Sequence, residues 1–182
     1  MNILILQSSP NHDGLTAACA SAAADGAQTA GGAVESVCIN DLELHQCQAC
    51  NNGWGTCRTE HECQLLDGFQ AIHQRILQSD ALVLVTPVYW GEMSESAKAL
   101  TDRLRRCEAT RRDATALAGM PFIAIAAAGG SGGGMITCLA SMERWIDHVR
   151  ARKFDLIPVN RWSRAYKVIA IRAAAEAMTR DF

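Results

Sequence analysis

Apolar residues recur along the chain in short runs that are rich in β-branched side chains. Continuous runs of this kind, bounded by polar or turn-forming residues, are typical of strands buried on both faces of a parallel sheet. The runs cover residues 3–6, 34–39, 81–85, 121–127 and 154–159. We predict a strand at each of these places.

The segments between the runs carry apolar residues at helical spacing, which predicts helices whose apolar faces cover a sheet. Three stripes consist of Phe69, Ile72, Ile76 and Leu77, of Ala97, Leu100, Leu104 and Cys107, and of Met135, Leu139, Met142, Ile146 and Val149. An alanine-rich stretch over residues 164–179 predicts a closing helix. Because strand and helix alternate, we expect an α/β fold with a parallel sheet of about five strands and helices on both faces.

We predict a single domain over residues 1–182, because 49% hydrophobic content is enough for one core at this length. The connection over residues 41–66 breaks the pattern of short loops, since it carries four cysteines and almost no apolar periodicity. Loops of this length are usually functional or disordered. A dense charge run from Arg103 to Arg112 is predicted to be a solvated helix end.

Charge and hydropathy exclude several classes of protein. A net charge of −2 and a pI near 6.2 argue against a nucleic-acid-binding protein, which needs a strongly basic surface. No apolar run approaches the roughly eighteen residues of a membrane span, and the first residues do not form a signal peptide. We expect a cytoplasmic protein with no nucleic-acid or membrane partner, in which cysteines stay reduced unless they serve metal binding or redox chemistry.

The loop after the first predicted strand suits a phosphate group. In open α/β sheets ligands bind beyond the carboxyl ends of the strands. Residues 7–16 combine small hydroxyl side chains with Gly14 and lead into a helix, whose positive end favours an anion. The loop is neither a GxGxxG loop nor a Walker loop, which favours a single phosphomonoester over a dinucleotide or a triphosphate.

Two further loops follow strands at the same predicted edge. Residues 86–91 place Tyr89 and Trp90 after the third strand, where aromatic walls suit a flat heteroaromatic ligand; a turn whose aromatic side chains cap the core is the alternative. Residues 127–134, after the fourth strand, are rich in glycine. This indicates a backbone that bends sharply or approaches a ligand closely, with a flexible linker as the alternative.

These three loops, with Ser94 and Lys98 after the second, resemble in sequence and order those of the NADPH-dependent FMN reductases and iron–sulfur flavoproteins. The resemblance covers most of the chain and implies the flavodoxin-like fold, a three-layer sandwich with strand order 2-1-3-4-5. It also implies bound FMN, with its phosphate at the first loop and its ring against the other two. The implied FMN-binding residues are Ser9, Asn11, Gly14, Leu15, Thr16, Pro87, Val88, Tyr89, Trp90, Gly91, Gly129, Gly130, Ser131 and Gly132. Ser8 and Leu15 depart from the family, which more often has Gly and Asn there.

The function that the resemblance implies is an oxidoreductase that passes electrons from NAD(P)H through FMN to a small-molecule acceptor such as a flavin or a quinone. The cofactor carries this chemistry, so no catalytic side chain is expected. The alternative is an electron carrier, of the flavodoxin or iron–sulfur flavoprotein type, that acts with protein partners. Family members often complete the flavin pocket with a neighbouring subunit, which implies a homodimer or homotetramer.

The four cysteines of the long connection have an unusual spacing. Cys47 and Cys50 form a CxxC pair, whereas Cys57 and Cys63 follow at longer gaps, unlike paired zinc knuckles or a bacterial ferredoxin. The family's iron–sulfur members have a third cysteine where this chain has Gly53. We expect reduced thiols beside the flavin and no metal; a 4Fe–4S cluster held by the four cysteines is the next alternative, then structural zinc, and a stable disulfide is last. The composition of residues 51–55 predicts a tight turn.

The remaining cysteines and the histidines are assigned no chemistry. Cys19, Cys38, Cys107 and Cys138 fall at apolar positions and are predicted to be small core residues. His12 is a candidate neighbour of the phosphate, and the others are predicted to be surface or loop groups, namely His45, His61, His73 and His148.

Overall fold

The computed structural model describes residues 1–182 as a parallel sheet between two helical layers. The strands are β1 (Asn2–Gln7), β2 (Ala33–Cys38), β3 (Ala81–Tyr89), β4 (Glu92–Met93), β5 (Pro121–Ala128) and β6 (Arg152–Asn160). The helices are α1 (Leu15–Thr29), α2 (Thr56–Thr59), α3 (Phe69–Leu77), α4 (Glu95–Glu108), α5 (Met135–His148) and α6 (Arg164–Asp181). The strands pair in the order β2-β1-β3-β5-β6, and the short β4 pairs antiparallel with β3. Apart from β4, this is the predicted order 2-1-3-4-5.

Each predicted apolar run forms a strand, but the strands are not equally buried. β1, β3 and β5 lie in the middle of the sheet and are almost wholly buried. β2 and β6 lie at its edges and expose polar residues such as Glu35 and Lys153. The prediction that all five strands are buried on both faces is therefore wrong for the two edge strands, which have a neighbour on one side only.

The core lies in two layers, one on each face of the sheet. α3, α4 and α5 pack on one face, and α1 and α6 pack side by side on the other. Gly26 of α1 allows the closest approach, because a Cβ there would overlap the backbone carbonyl of Arg172 on α6. None of the helices is long and apolar enough to cross a lipid bilayer.

The long connection over residues 41–66 is ordered against the core. It begins in a 3-10 turn (Ile39–Asp41) and contains a second one (Asn51–Gly53), followed by the short helix α2. Leu42, Leu44, Cys57 and Cys63 are half-buried and pack against the layer formed by α3, α4 and α5. Within the long connection, Asn52 and Gly53 have positive φ angles, which confirms the tight turn predicted for residues 51–55.

Two predictions about charged side chains are wrong. Arg103, assigned to a solvated helix end, is 1% exposed, because α4 turns it toward the residues before α3. His73, assigned to the surface, is also buried, because it lies on the inward face of α3 between the apolar Ile72 and Ile76. For Arg103 the covering atoms come from another element, so local sequence carries no sign of the burial; His73, in contrast, lies four residues after Phe69 on the apolar stripe of α3.

Three of the four remaining cysteines are core residues, as predicted. Cys19, Cys107 and Cys138 are fully buried, and burial raises the pKa of their thiols to about 11, about 12 and about 12. Cys38 is different, because it ends the edge strand β2 and is only half-buried. Its thiol lies 3.6 Å from the backbone oxygen of Ser9, to which it donates a hydrogen bond.

His73 belongs to a buried polar network between α3 and α4. Its Nε2 lies 2.8 Å from Oε1 of Glu108, which is fully buried. The hydroxyl of Thr115 donates to the other carboxylate oxygen at 2.7 Å. Burial acts to raise the pKa of the Glu108 carboxyl, but the hydrogen bonds from His73 and Thr115, with the charge of Arg111, hold this pKa below its ordinary value.

We predict that Glu108 contributes stability that is lost in acid. A carboxyl whose pKa is lower in the folded chain stabilises the fold above its unfolded pKa of 4.5, and this contribution disappears as the pH falls through the folded value. Glu108→Gln is expected to lower the free energy of unfolding by roughly 1–3 kcal/mol at pH 7, because it unbalances a buried network. Urea unfolding at pH 7 and at pH 3.5 should show the difference from wild type shrinking in acid, whereas a constant difference would contradict this account. Glu95→Gln, at an exposed position, is the control.

Candidate functional site

The carboxyl ends of β1, β3 and β5 meet at one edge of the sheet, and a buried cluster of hydroxyls joins two of them. Ser94, which caps α4, donates from Oγ to the backbone oxygen of Ser8 at 3.0 Å and contacts its Oγ at 2.9 Å. The backbone N–H of Ser94 donates to Oγ1 of Thr86 at 3.0 Å. The loop after β1 and the start of α4 are therefore fixed to the end of β3.

The loop between β1 and α1 leaves a row of backbone donors free. Its first turn is closed by side chains: the N–H of Asn11 donates to Oγ of Ser9 at 3.1 Å. The N–H groups of Gly14, Leu15 and Thr16 donate no hydrogen bond within the protein, and no side chain caps α1. Uncapped N–H groups at a helix N-terminus are a ready site for an anion.

Ser8, the position where the family more often has glycine, faces away from that loop. Its side chain is fully buried, and its Oγ donates to the backbone oxygen of Val85 at 3.4 Å. The departure is thus accommodated inside the fold, below the row of free donors.

After β3 the chain forms a two-residue hairpin rather than an open turn. Trp90 and Gly91 both have positive φ, at 52° and 83°, as a tight hairpin into β4 requires. Trp90 is fully exposed and Tyr89 is 41% exposed. The alternative that these aromatic side chains cap the core is therefore wrong, and both rings stand at the edge of the site.

The glycines of the loop after β5 fall into two groups, some facing open space and some packed against the protein. Gly129 and Gly130 face open space, since a Cβ at either would meet nothing within 4 Å. Gly132 lies under the ring of Trp162, and Gly134 lies against the backbone of Gly91, so a Cβ at either position would collide with the protein itself. The expectation of close backbone approach holds, but for Gly132 and Gly134 the approaching partner is another part of this chain.

Sequence reasoning missed three side chains at this edge. Trp162 follows β6, is 63% exposed and covers Gly132. Ser96 donates to Oδ1 of Asn40 at 3.0 Å, which ties the turn after β2 to α4. The position of Trp162 after a strand of the same parallel sheet was the signal that could have identified it.

His12 lies near the end of β2. Its Nε2 is 3.5 Å from Oδ1 of Asp41, and the thiol of Cys38 is close to both. His12 and Asp41 are exposed. The structure thus pairs the His12 side chain with the turn after β2, and its role beside a phosphate stays a prediction.

A second feature is a small pocket on which the cysteines of the long connection converge. Its lining includes Cys47, Cys50, Cys57 and Cys63, together with Arg103 and Arg106 of α4. All four cysteines are half-buried free thiols. No three of their sulfur atoms lie within 4.8 Å of one another, whereas sulfur atoms around one zinc ion lie about 3.8 Å apart when Zn–S bonds are about 2.3 Å. The four thiols are therefore not arranged around a single zinc ion in this structure.

The rim of this cysteine pocket is aromatic and basic. The ring of Trp54 lies 4.2 Å from the guanidinium of Arg106 and 5.8 Å from that of Arg58. Trp54 is 37% exposed. The structure thus places Trp54 beside the cysteine pocket, over a basic residue that lines it.

The comparison with known protein families decides the assignment. Residues 1–154 match the family described as NADPH-dependent FMN reductase. The chain belongs to this family. The family predicted from the loop motifs is thereby confirmed, and the description of that family names FMN and a reductase activity that uses NADPH.

Individual relatives agree with this assignment. An iron–sulfur flavoprotein of Methanocaldococcus jannaschii is 30% identical over 105 residues, which are 58% of this chain and 52% of that protein. The chain thus spans about half the length of this curated relative. Among solved structures, an NAD(P)H:quinone oxidoreductase from Methanothermobacter marburgensis superposes with a TM-score of 0.74 at 16% identity, over 98% of this chain and 96% of that one. A flavodoxin of Streptococcus pneumoniae gives 0.68 at 13% identity over the whole of both chains, which confirms the predicted flavodoxin-like fold.

Proposed function

We propose that this protein is an FMN-dependent oxidoreductase that takes electrons from NAD(P)H and delivers them to a small-molecule acceptor such as a flavin or a quinone. The observation that carries the proposal is the meeting, at one sheet edge, of the uncapped start of α1, the exposed aromatic hairpin and the open glycine loop. Membership of the NADPH-dependent FMN reductases supports it.

Each loop has a distinct task in this proposal. The free N–H groups of Gly14, Leu15 and Thr16, with the nearby Ser9 and Asn11, hold the FMN phosphate, because fixed backbone dipoles favour an anion without a basic side chain. The ring lies against residues 87–91 on one side and residues 129–132 on the other, where small residues leave room for a flat heterocycle. Bound FMN supplies the hydride and electron transfer, so no side chain needs to act as acid or base.

We also propose that the protein is a homo-oligomer and that it is located in the cytoplasm. Exposed apolar residues on and before α6 offer a surface for a second copy, in line with the predicted homodimer or homotetramer; they are Trp162, Tyr166 and Ile169. A reducing cytoplasm suits a chain with eight free cysteines.

We predict that the FMN-loaded protein oxidises NADPH or NADH with a quinone or ferricyanide as acceptor. The family assignment and the open site at the sheet edge both support turnover that depends on FMN. Absorbance at 340 nm measures the rate, and the same protein freed of FMN is the control. A flavin that is readily photoreduced but is not reduced by either nucleotide would contradict the proposal and favour an electron carrier.

We predict that the N–H of Leu15 contributes to phosphate binding. Leu15→Pro removes this donor at the first helical position, where proline is well tolerated, and Gly14 already has the extended backbone that precedes a proline. Relative to Leu15→Ala, which keeps the N–H, Leu15→Pro is expected to weaken FMN binding roughly tenfold, because hydrogen bonds to charged groups contribute about 1.5–3 kcal/mol. Flavin fluorescence titrations measure the affinity.

Two controls make this comparison specific. Riboflavin lacks the phosphate, so Leu15→Pro and Leu15→Ala should bind it equally. Glu95→Pro removes the corresponding donor at the start of α4 and should leave FMN affinity unchanged. Equal FMN affinity in the two Leu15 variants would refute a phosphate at this helix end.

A second candidate function, iron–sulfur electron transfer, is favoured by the cysteine pocket. Four thiols that face one pocket match the donor set of a 4Fe–4S cluster. The curated relative from Methanocaldococcus jannaschii is named an iron–sulfur flavoprotein. We propose that Cys47, Cys50, Cys57 and Cys63 hold such a cluster, which would carry single electrons between the flavin and a partner.

We predict that protein purified without oxygen contains about four iron atoms per chain and shows a broad iron-dependent shoulder beside the flavin bands. Cys50→Ser should lose the iron, because one of the four ligands is removed. Cys38→Ser, at another half-buried cysteine that lies outside the pocket, should keep it. Iron analysis and absorbance spectra provide the measurement. Flavin bands without iron would show that the pocket thiols have only a structural role.

A further inference from the structure

The guanidinium of Arg103 connects α4 to the long connection over residues 41–66. Nη1 donates to Oδ2 of Asp67 at 2.6 Å, and Nη2 donates to Oδ1 of the same carboxylate at 2.9 Å. Nη1 also donates to the backbone oxygen of His45 at 2.9 Å. The guanidinium carbon lies 4.3 Å from the centre of the Phe69 ring. The two Nη atoms and the Phe69 ring thus hold the group in one orientation, while its buried Nε donates no hydrogen bond.

The same guanidinium contacts a cysteine of the pocket. Nη2 donates to Sγ of Cys63 at 3.2 Å, and Arg103 itself lines the pocket. The side chains of Arg103 and Asp67 are 1% and 2% exposed, so their interaction is little screened by water. A charged donor fixed in advance on a sulfur atom requires no reorganisation when charge on that sulfur changes.

We propose that Arg103 is a positioning residue for the cysteine-bound cluster: it fixes Cys63 as a ligand and, through its N–H···S hydrogen bond, raises the reduction potential. The inference rests on the proposed iron–sulfur centre. Reduction adds negative charge that spreads onto the ligand sulfurs, and hydrogen bonds to those sulfurs are among the groups that set cluster potentials. Asp67 supports the bond indirectly, because its bidentate pairing aims the guanidinium.

A merely structural role for the Arg103–Asp67 pair must be separated from this one. A buried ion pair that loses one partner is strongly destabilised, whereas replacement of both charges by neutral groups is often tolerated. The double variant Arg103→Met with Asp67→Asn removes both charges, so the local net charge is unchanged. The introduced asparagine amide keeps an oxygen that can accept the N–H of Phe69, which Asp67 accepts at 3.0 Å at the start of α3.

The single variant Arg103→Lys keeps the charge but loses the planar fork that reaches Asp67 and Cys63 together. Arg106→Lys is the matched control, because Arg106 lines the same pocket and donates no hydrogen bond to a cysteine. Thermal unfolding and FMN content show whether each variant keeps its fold.

The test is a redox titration of anaerobically purified, FMN- and iron-loaded protein, followed by electron paramagnetic resonance of the reduced cluster. We expect Arg103→Lys and the double variant to retain iron but to disfavour reduction about tenfold, equivalent to a potential lowered by about 59 mV for one electron. Arg106→Lys should titrate like wild type. Loss of iron from a folded Arg103→Lys, with Arg106→Lys fully loaded, would equally support the positioning of Cys63.

Two outcomes overturn the inference, and they differ from each other. If both Arg103 variants hold iron and titrate like wild type, Arg103 only connects two parts of the fold, while the proposed cluster stands. If wild-type protein binds no iron, the cluster itself fails and the role of Arg103 falls with it. NAD(P)H turnover through FMN is measured separately, so its presence or absence does not alter either conclusion.

Discussion

The parallel pairing of β1, β3 and β5 is the constraint on which the rest of the molecule depends. It brings the carboxyl ends of three strands to one edge of the sheet. The loop after β1 has free backbone donors, the loop after β3 is an aromatic hairpin, and the loop after β5 is rich in glycine. Backbone hydrogen bonds form this pairing, and the hydroxyl groups of Ser94 and Thr86 also bind the loop after β1 to the end of β3. These contacts, with the packing of α1 on the sheet, fix the free donors at the start of α1 relative to the aromatic hairpin.

The two candidate sites are built on opposite principles. The proposed flavin site uses backbone groups: uncapped N–H groups, a hairpin with positive φ and glycines that leave open space. Such a site tolerates side-chain changes, which explains how Ser8 and Leu15 can replace the more frequent residues of the family. The cysteine pocket uses side chains, and its four thiols lie on a connection with little regular structure. That connection needs an external anchor, which the buried guanidinium of Arg103 provides.

α4 links the two sites. At its start, Ser94 is bonded to the loop after β1, and Ser96 is bonded to Asn40. Farther along the helix, Arg103 reaches the cysteine segment and Asp67. One helix, α4, therefore carries a side chain that anchors each site: Ser94 and Arg103. The distance between the proposed flavin site and the cysteine pocket depends on how α4 packs on the sheet.

The strands and the edge at which the three loops meet could be predicted from the sequence. Buried strands, amphipathic helices and turn residues are set by local side-chain chemistry, so apolar periodicity and the loop motifs at Gly14, Trp90 and Gly130 were enough. The burial of polar side chains, in contrast, depends on tertiary contacts. Arg103 lies in a segment with the polar composition of a solvated surface, and His73 is a polar residue on the apolar face of α3. Their partners Asp67 and Glu108 lie 36 and 35 residues away along the chain. Likewise, the spacing of the four cysteines matches no recognisable motif, because a pocket formed by an irregular connection against a helix depends on contacts distant in sequence.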